Sequence, residues 1–270
     1  MADVALSSTR NPRVRAAAAL RDRRARDEAG LTLIDGIREL TRAIAGGARV
    51  VEVYVDPDRI GAPAAAVVEA ARAVGAEVIE VSGTVIDTLA YGDRGEGVVA
   101  VARIPDTSLD AVSLPAGALV VVVEGVEKPG NLGAVLRSAD GAGADLVIAA
   151  DPRTDLFNPN AIRASQGTVF SIPVAAAPSA AVRTWLREAR LQVVTARVDA
   201  PTAYTDADLR GAVAIVLGSE TSGLTDTWSG DDVAPVRLPM LGVADSLNVS
   251  IAAAVLLYEA RRQRASVQAD

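Results

Sequence analysis

The run Ala118-Leu-Val-Val-Val-Val-Glu124-Gly-Val-Glu-Lys-Pro-Gly130-Asn131-Leu-Gly-Ala-Val-Leu-Arg137 decides the fold. Its first six residues are apolar without alternation. A half-buried strand alternates apolar and polar positions, whereas a strand covered on both faces by helices does not, so this run reads as an inner strand of a parallel sheet. Gly125 to Gly130 turns the chain. Helical spacing follows from Leu132 to Gly141, and Asn131 stands where an N-cap would.

Working outward, the same alternation recurs. Strands are expected at Asp145 to Ala149, Val169 to Val174, Leu191 to Ala196, Ala212 to Leu217 and Asp232 to Leu238, with helices at Ala180 to Ala189 and Ser246 to Arg264. Strand and helix in alternation imply right-handed crossovers over a mostly parallel sheet, an α/β fold. Upstream, Thr32 to Ile34, Val50 to Val55, Glu77 to Val81 and Gly97 to Arg103 read as strands, and Gly36 to Ala45 and Pro63 to Val74 as helices. These form a second, smaller α/β module able to fold alone. Ile104 to Gly117, with Pro105 and Pro115, reads as the boundary. The expected division is residues 1–106, a linker over 107–117, and 118–270. Gly92, Gly95 and Gly97, like Gly141 and Gly143, lack the spacing or the strand-to-helix context of a dinucleotide fingerprint and read as turns.

Composition narrows the chemistry. Cysteine and histidine are both absent from the 270 residues. That removes disulfides, cysteine nucleophiles, serine-histidine triads and the usual zinc sites, and no metal is expected. Group transfer from a reactive cofactor survives, because the cofactor carries the hard chemistry while the protein positions and polarises. The apolar runs fall short of the ~20 residues of a membrane helix, and no secretory segment follows Met1. A cytoplasmic protein without membrane contact is the expectation. The net charge of -7 argues against a nucleic-acid partner. Yet Arg10 to Glu28 holds seven arginines against three acids. The cluster reads either as an electrostatic footprint for RNA, with Arg10 and Arg13 as contacts, or as a solvated helix face.

Three segments carry candidate function. The first is Asn131-Leu-Gly-Ala-Val-Leu-Arg137, in which six residues of helix separate Asn131 from Arg137 by about 240° around the axis, so the two need not share a face. The second, Leu217-Gly-Ser-Glu220-Thr-Ser-Gly223, follows a strand, and Gly218 permits close backbone approach to a ligand. The third is Leu238-Pro-Met240 followed by Ser246-Leu-Asn248-Val-Ser250, leading into a helix with Ile251, Val255 and Leu256 on one expected buried stripe. Ser246 fits an N-cap, while Asn248, an amide entering an apolar helix, requires a partner. All three segments follow strands, so their polar groups converge on one sheet edge, where open α/β folds bind ligands.

In this order the three segments resemble the motifs of the SpoU/TrmH branch of the SPOUT RNA methyltransferases. The resemblance covers about residues 118–264 and, more loosely, 31–103, which resemble an L30e-like RNA-binding domain. It implies a C-terminal SPOUT α/β domain with a trefoil knot, a homodimer, and S-adenosylmethionine as cofactor. The implied reaction is 2′-O-ribose methylation of RNA, with ribosomal 23S RNA ahead of transfer RNA, as in antibiotic-resistance members of similar layout. By the same resemblance Arg137, Asn131, Glu220, Ser246 and Asn248 are the catalytic set, and Leu217, Gly218, Leu238, Met240 and Leu247 bind the cofactor, with Thr195 at a neighbouring strand end. Asn158-Pro-Asn-Ala-Ile-Arg163-Ala-Ser165 resembles a further family segment, in which Arg163 and Ser165 would contact RNA. A guanidinium keeps its proton in proteins, so Arg137 suits the activation of a hydroxyl better than the role of a base. The rival readings are a non-catalytic RNA-binding or ribosome-assembly protein of the same fold, and a methyltransferase acting on a base or small molecule.

Overall fold

The structure, a computed structural model, describes residues 6–90 and 96–267, so Gly92 and Gly95 lie outside the described residues. It divides into two compact units. The first takes in the chain up to Pro105 together with Phe157–Ser171, and the second Asp106–Leu156 with the chain from Ile172 onward.

The first unit opens on two short helices, α1 (Pro12–Ala19) and α2 (Arg23–Ala29). It continues through β1 (Leu31–Asp35), α3 (Ile37–Ala45), β2 (Val50–Val55), α4 (Ala62–Ala73), β3 (Glu77–Glu80), α5 (Gly83–Leu89) and β4 (Val98–Arg103). The sheet order is β1-β4-β2-β3, with β4 antiparallel to both neighbours. Val14, Leu33, Tyr54, Ile86, Leu89 and Val99 share one buried cluster. The four expected strands and two expected helices are present within two residues of their expected bounds. Helix α5 carries no strong local signal, because it starts at a glycine and includes threonine, valine and isoleucine, all indifferent helix formers. Packing supplies the stability instead, since Val85, Ile86 and Leu89 are buried.

The second unit runs β5 (Leu119–Glu124), α6 (Pro129–Ala142) and β6 (Leu146–Ala150). After α7 (Pro159–Ala164), which belongs to the first unit, it resumes with β7 (Val174–Ala177), α8 (Ser179–Glu188), β8 (Gln192–Ala196), β9 (Thr202–Ala203), β10 (Val213–Leu217), β11 (Val233–Arg237) and α9 (Val249–Val267). All strands pair in parallel in the order β7-β6-β5-β10-β8-β11-β9. Strands β5, β6 and β10 are buried at every position, as the unbroken apolar run requires. Burial of each valine contributes about 1.5–3 kcal/mol, an upper bound.

Three expectations are corrected. Residues 107–117 are not a free linker: Leu109, Val112 and Leu114 pack on the second unit's core, and Thr107 O accepts from the Ala176 N–H at 2.8 Å. The strand expected at Val169 to Val174 is a one-turn 3-10 helix over Thr168–Phe170, followed by β7. Gly167 turns the chain at φ +82°, and Pro173 has no N–H for a ladder. Finally, Phe157–Ser171 is part of the first unit and not of the domain whose sequence surrounds it. The buried Thr32 hydroxyl donates to Phe157 O at 2.6 Å, and Arg42 donates to Gln166 O at 2.7 Å. Gly46 lies so close that a Cβ there would fall 2.0 Å from Phe170 O.

Candidate functional site

Parallel strands deliver their loops to one edge, and a cavity of about 400 Å³ opens at the carboxyl ends of β8, β10 and β11. Ala196, Arg197 and Asp199 line it from β8. Leu217, Gly218, Ser219, Glu220 and Gly223 come from β10 and its loop, and Leu238, Met240, Ser246 and Leu247 from the chain after β11. Val249 and Ala252 of α9 close it. The volume lies within the roughly 300–1,000 Å³ typical of small-molecule sites. The sheet edge is the one where parallel α/β folds bind ligands.

The loop after β10 is held in shape by its own backbone. The Gly223 N–H returns to Ser219 O at 3.0 Å, and the Ser219 and Ser222 hydroxyls lie 2.8 Å apart. Gly223 adopts φ +65°, which favours glycine. A Cβ on Gly218 would sit 2.2 Å from the Gly223 carbonyl carbon. Gly218 is therefore required by the loop folding back on itself, a reason distinct from the expected approach of a ligand.

Glu220 joins residues from all three segments. Its Oε1 accepts from Asn131 Nδ2 at 2.6 Å and from Asn248 Nδ2 at 2.5 Å, while Lys128 Nζ stands 3.6 Å from Oε2. Asn248 Nδ2 also lies 3.3 Å from Asn131 Oδ1. A smaller cavity of about 120 Å³ faces this node, lined by Lys128, Asn131, Glu220 and Thr221 among others. The carboxylate fixes both amides, as bonds to an ionised acceptor do best.

Two capping expectations are corrected. Helix α6 starts at Pro129, with Lys128 at the cap position, because proline suits the first helical turn; Asn131 lies inside the helix with its side chain turned to Glu220. Ser246 precedes α9 by three residues. The cap is Asn248, whose Oδ1 accepts from the Ser250 N–H at 2.9 Å. Asn248 thus uses both ends of its amide. The stripe on α9 is also corrected: Val249, Ala253, Leu256, Leu257 and Ala260 are buried, while Ile251 is half exposed.

Among the expected cofactor residues, Leu217, Gly218, Leu238, Met240 and Leu247 line the larger cavity together with Ser246 and Glu220. Thr195 does not line it. It lies one residue before Ala196, fully buried, with an Oγ1 that has no hydrogen-bond partner. Arg137 is exposed on α6 and lines neither cavity. The sequence reading missed Arg197 and Asp199. The rule that ligands sit beyond strand carboxyl ends would have found them two and four residues after Thr195. Arg197 reaches Trp228 O at 3.3 Å and Ser229 Oγ at 3.2 Å. Among the described residues no group of three acids, histidines or cysteines is arranged to hold a metal, and no helix is long and apolar enough to cross a membrane.

The expected RNA contacts fare unevenly. Arg10 is exposed. Arg13 bonds Glu52 at 2.8 Å and pairs with Glu77, whose carboxylates hold the guanidinium more firmly protonated than usual. Arg24 pairs with Glu28, and Arg26 is buried, donating to the carbonyls of Leu20 and Arg21. Much of the cluster therefore serves the fold of the first unit. Ser165 is fully buried and donates to Ile162 O at 2.8 Å, so it is not available to a partner. Arg163 is partly buried, 3.9 Å from Asp35.

The chain is similar to known proteins over most of its length. Residues 118–258 match the family model described as the SpoU rRNA Methylase family, and residues 11–100 that described as the MRM3-like substrate binding domain. A 23S rRNA (uridine(2479)-2′-O)-methyltransferase of Streptomyces viridochromogenes is 33% identical over 258 residues, covering 92% of this chain and 88% of that one. A 23S rRNA (guanosine-2′-O-)-methyltransferase of a Burkholderia species is 35% identical over 242 residues, 87% of this chain and 97% of that one. The crystal structure of an AdoMet-bound rRNA methyltransferase from Sinorhizobium meliloti superposes with a TM-score of 0.87 at 31% identity, covering 96% and 97% of the two chains.

Proposed function

The chain belongs to the SpoU rRNA methylase family, and from that premise we propose that it transfers a methyl group from S-adenosylmethionine to a ribose 2′-hydroxyl of 23S rRNA. One observation carries the reading. The cavity at the sheet edge and the Glu220 node adjoin, sharing Ser219, Glu220 and Val249, so a cofactor site and a polar target site meet at one loop. Leu217, Leu238 and Leu247 offer apolar walls for an adenine. These residues fit the cofactor. When bound, it supplies an electrophilic methyl carried on a sulfonium.

The chain's own part is positioning and charge. Glu220 aligns the Asn131 and Asn248 amides, leaving the second Asn131 N–H to orient a ribose, and orientation supplies much of the acceleration in such transfers. Arg137 is assigned the activation of the hydroxyl: its cation lowers the hydroxyl pKa and clamps an adjacent phosphate. Because Arg137 lines neither cavity of its own copy, that role needs a site assembled by two copies. A homodimer is supported by α9, where Ile251 and Tyr258, about two turns apart, are each half exposed. Helix α6, which carries Arg137, packs on α9.

We read the second unit as a trefoil-knotted SPOUT domain. The order of its strands supports this, since β10 inserts between β5 and β8, both earlier in the chain. The first unit is read as an L30e-like module that selects RNA, with Arg10 at its surface; its match to a substrate-binding domain supports this. The two relatives, both named for 23S rRNA, favour that substrate over transfer RNA, and a ribosomal substrate goes with a cytoplasmic location. The test is incubation of the protein with methyl-labelled S-adenosylmethionine and either 23S rRNA or total tRNA. Label in 23S rRNA alone is expected. Label in tRNA alone would replace the substrate, and a protein that binds RNA without binding the cofactor would replace the reading by the non-catalytic one.

A further inference from the structure

We propose that Glu124 is a positioning residue that sets the loop after β10 in its cofactor-binding pose. The inference rests on the reading of the larger cavity as the cofactor site. Glu124 is the last residue of β5 and is 3% exposed. Its Oε1 accepts from the Ser179 hydroxyl at 2.7 Å and from the Thr225 hydroxyl at 2.8 Å, and its Oε2 from the Thr225 N–H at 2.8 Å. No arginine or lysine lies within ion-pairing distance of it among the described residues. A carboxylate buried without a cation is held only by the donors that surround it, so each of the three bonds matters.

The identity of those donors gives the carboxylate its task. The loop from Gly218 to Leu224 lines the cavity at six of its seven residues. Its start is fixed by the sheet, where Leu217 pairs with Val123 of β5. Its end is fixed one residue beyond Leu224, where Thr225 meets Glu124, the residue after Val123 in β5. Both ends are thus referenced to the same strand, and Ser179 ties the start of α8 to the same carboxylate. Between these two anchors the loop carries Glu220, which orients Asn131 and Asn248. Loosening the Thr225 anchor frees the far end of the loop without touching any residue that lines the cavity.

The test compares wild type with Thr225→Val, Thr225→Ser and Glu124→Gln. Three quantities are measured for each: S-adenosylmethionine affinity by calorimetry, 23S rRNA affinity by filter binding, and the thermal midpoint. Thr225→Val removes one donor to the carboxylate and Thr225→Ser keeps it. Glu124→Gln turns one acceptor into a donor facing the Thr225 N–H or its hydroxyl. Cofactor affinity about tenfold weaker is expected for Thr225→Val and at least that for Glu124→Gln, with Thr225→Ser within about twofold of wild type and RNA affinity unchanged in all. Should Glu124→Gln fail to fold, the Thr225 pair decides alone. Unchanged cofactor affinity in Thr225→Val overturns the proposal, as does a parallel loss of cofactor and RNA binding with a lowered midpoint, which marks a merely structural bond. A wild type that binds no S-adenosylmethionine overturns the reading of the cavity first and this inference with it.

Discussion

Replacing Gly218 by alanine puts a methyl group where the loop's own backbone lies. The added Cβ would stand 2.2 Å from the carbonyl carbon of Gly223, 2.4 Å from its oxygen and 2.4 Å from the nitrogen of Leu224. Ordinary contact begins near 3.4 Å, and all three neighbours are backbone atoms that cannot rotate aside. The loop must open by more than an ångström, which strains or breaks the 3.0 Å bond from the Gly223 N–H to Ser219 O. Overpacking costs about 1–3 kcal/mol and a lost backbone bond about 0.5–1.5 kcal/mol, so keeping the loop near its native course costs roughly 1.5–4.5 kcal/mol. The loop escapes that cost by rearranging, and cofactor affinity then falls by roughly tenfold or more. Calorimetric titration of S-adenosylmethionine into Gly218→Ala reads this directly, with a thermal melt as control for folding. Binding within threefold of wild type would refute the argument that this loop geometry makes the site.

Other perturbations separate the remaining roles. Arg137→Ala leaves S-adenosylmethionine affinity near wild type and abolishes transfer; methylation retained in a single-turnover assay would remove Arg137 from the reaction. Light scattering after size exclusion gives a dimer at micromolar concentration for wild type, and Tyr258→Asp, which places a charge on the half-exposed face of α9, shifts it toward monomer. Glu259 is held below the usual carboxylate range by its ion pair with Arg262 and by the Gln263 amide, against the opposing effect of burial. A depressed folded pKa means that this stabilisation is present above the ordinary value of 4.5 and is lost as pH falls through the folded value. Urea melts of wild type and Glu259→Gln should therefore differ at neutral pH and converge in acid; a constant difference down to the acid limit would contradict the assignment.

The second unit was legible because β5, β6 and β10 are buried on both faces, and such strands leave unbroken apolar runs in the sequence. Loops at the ends of those runs share an edge, while the choice of Leu217, Gly218, Leu238, Met240 and Leu247 within them rests on the resemblance to the SpoU motifs. Periodicity hid whatever depends on contacts far apart in sequence. Phe157–Ser171 lies between two elements of the second unit, and contacts far apart in sequence, such as the bond from Thr32 across 125 positions and that from Arg42 to Gln166, show where it packs. Ser165 was expected to contact RNA through the resemblance of its segment, whereas its hydroxyl closes the turn after α7. Asn131 read as a cap because Glu220, the acceptor its side chain turns to, lies 89 residues away. Arg13 illustrates the same limit for charge: a count of arginines does not reveal Glu52 and Glu77 beside one of them.

The central claim is methyl transfer to a ribose hydroxyl of 23S rRNA. It is tested most directly by reacting the wild-type protein with 23S rRNA and S-adenosylmethionine carrying a deuterated methyl, then digesting the RNA to nucleosides for mass spectrometry. The heavy methyl is expected on the ribose of a single kind of nucleoside. A heavy methyl on a base, or none in the RNA while the protein binds the cofactor, would contradict it.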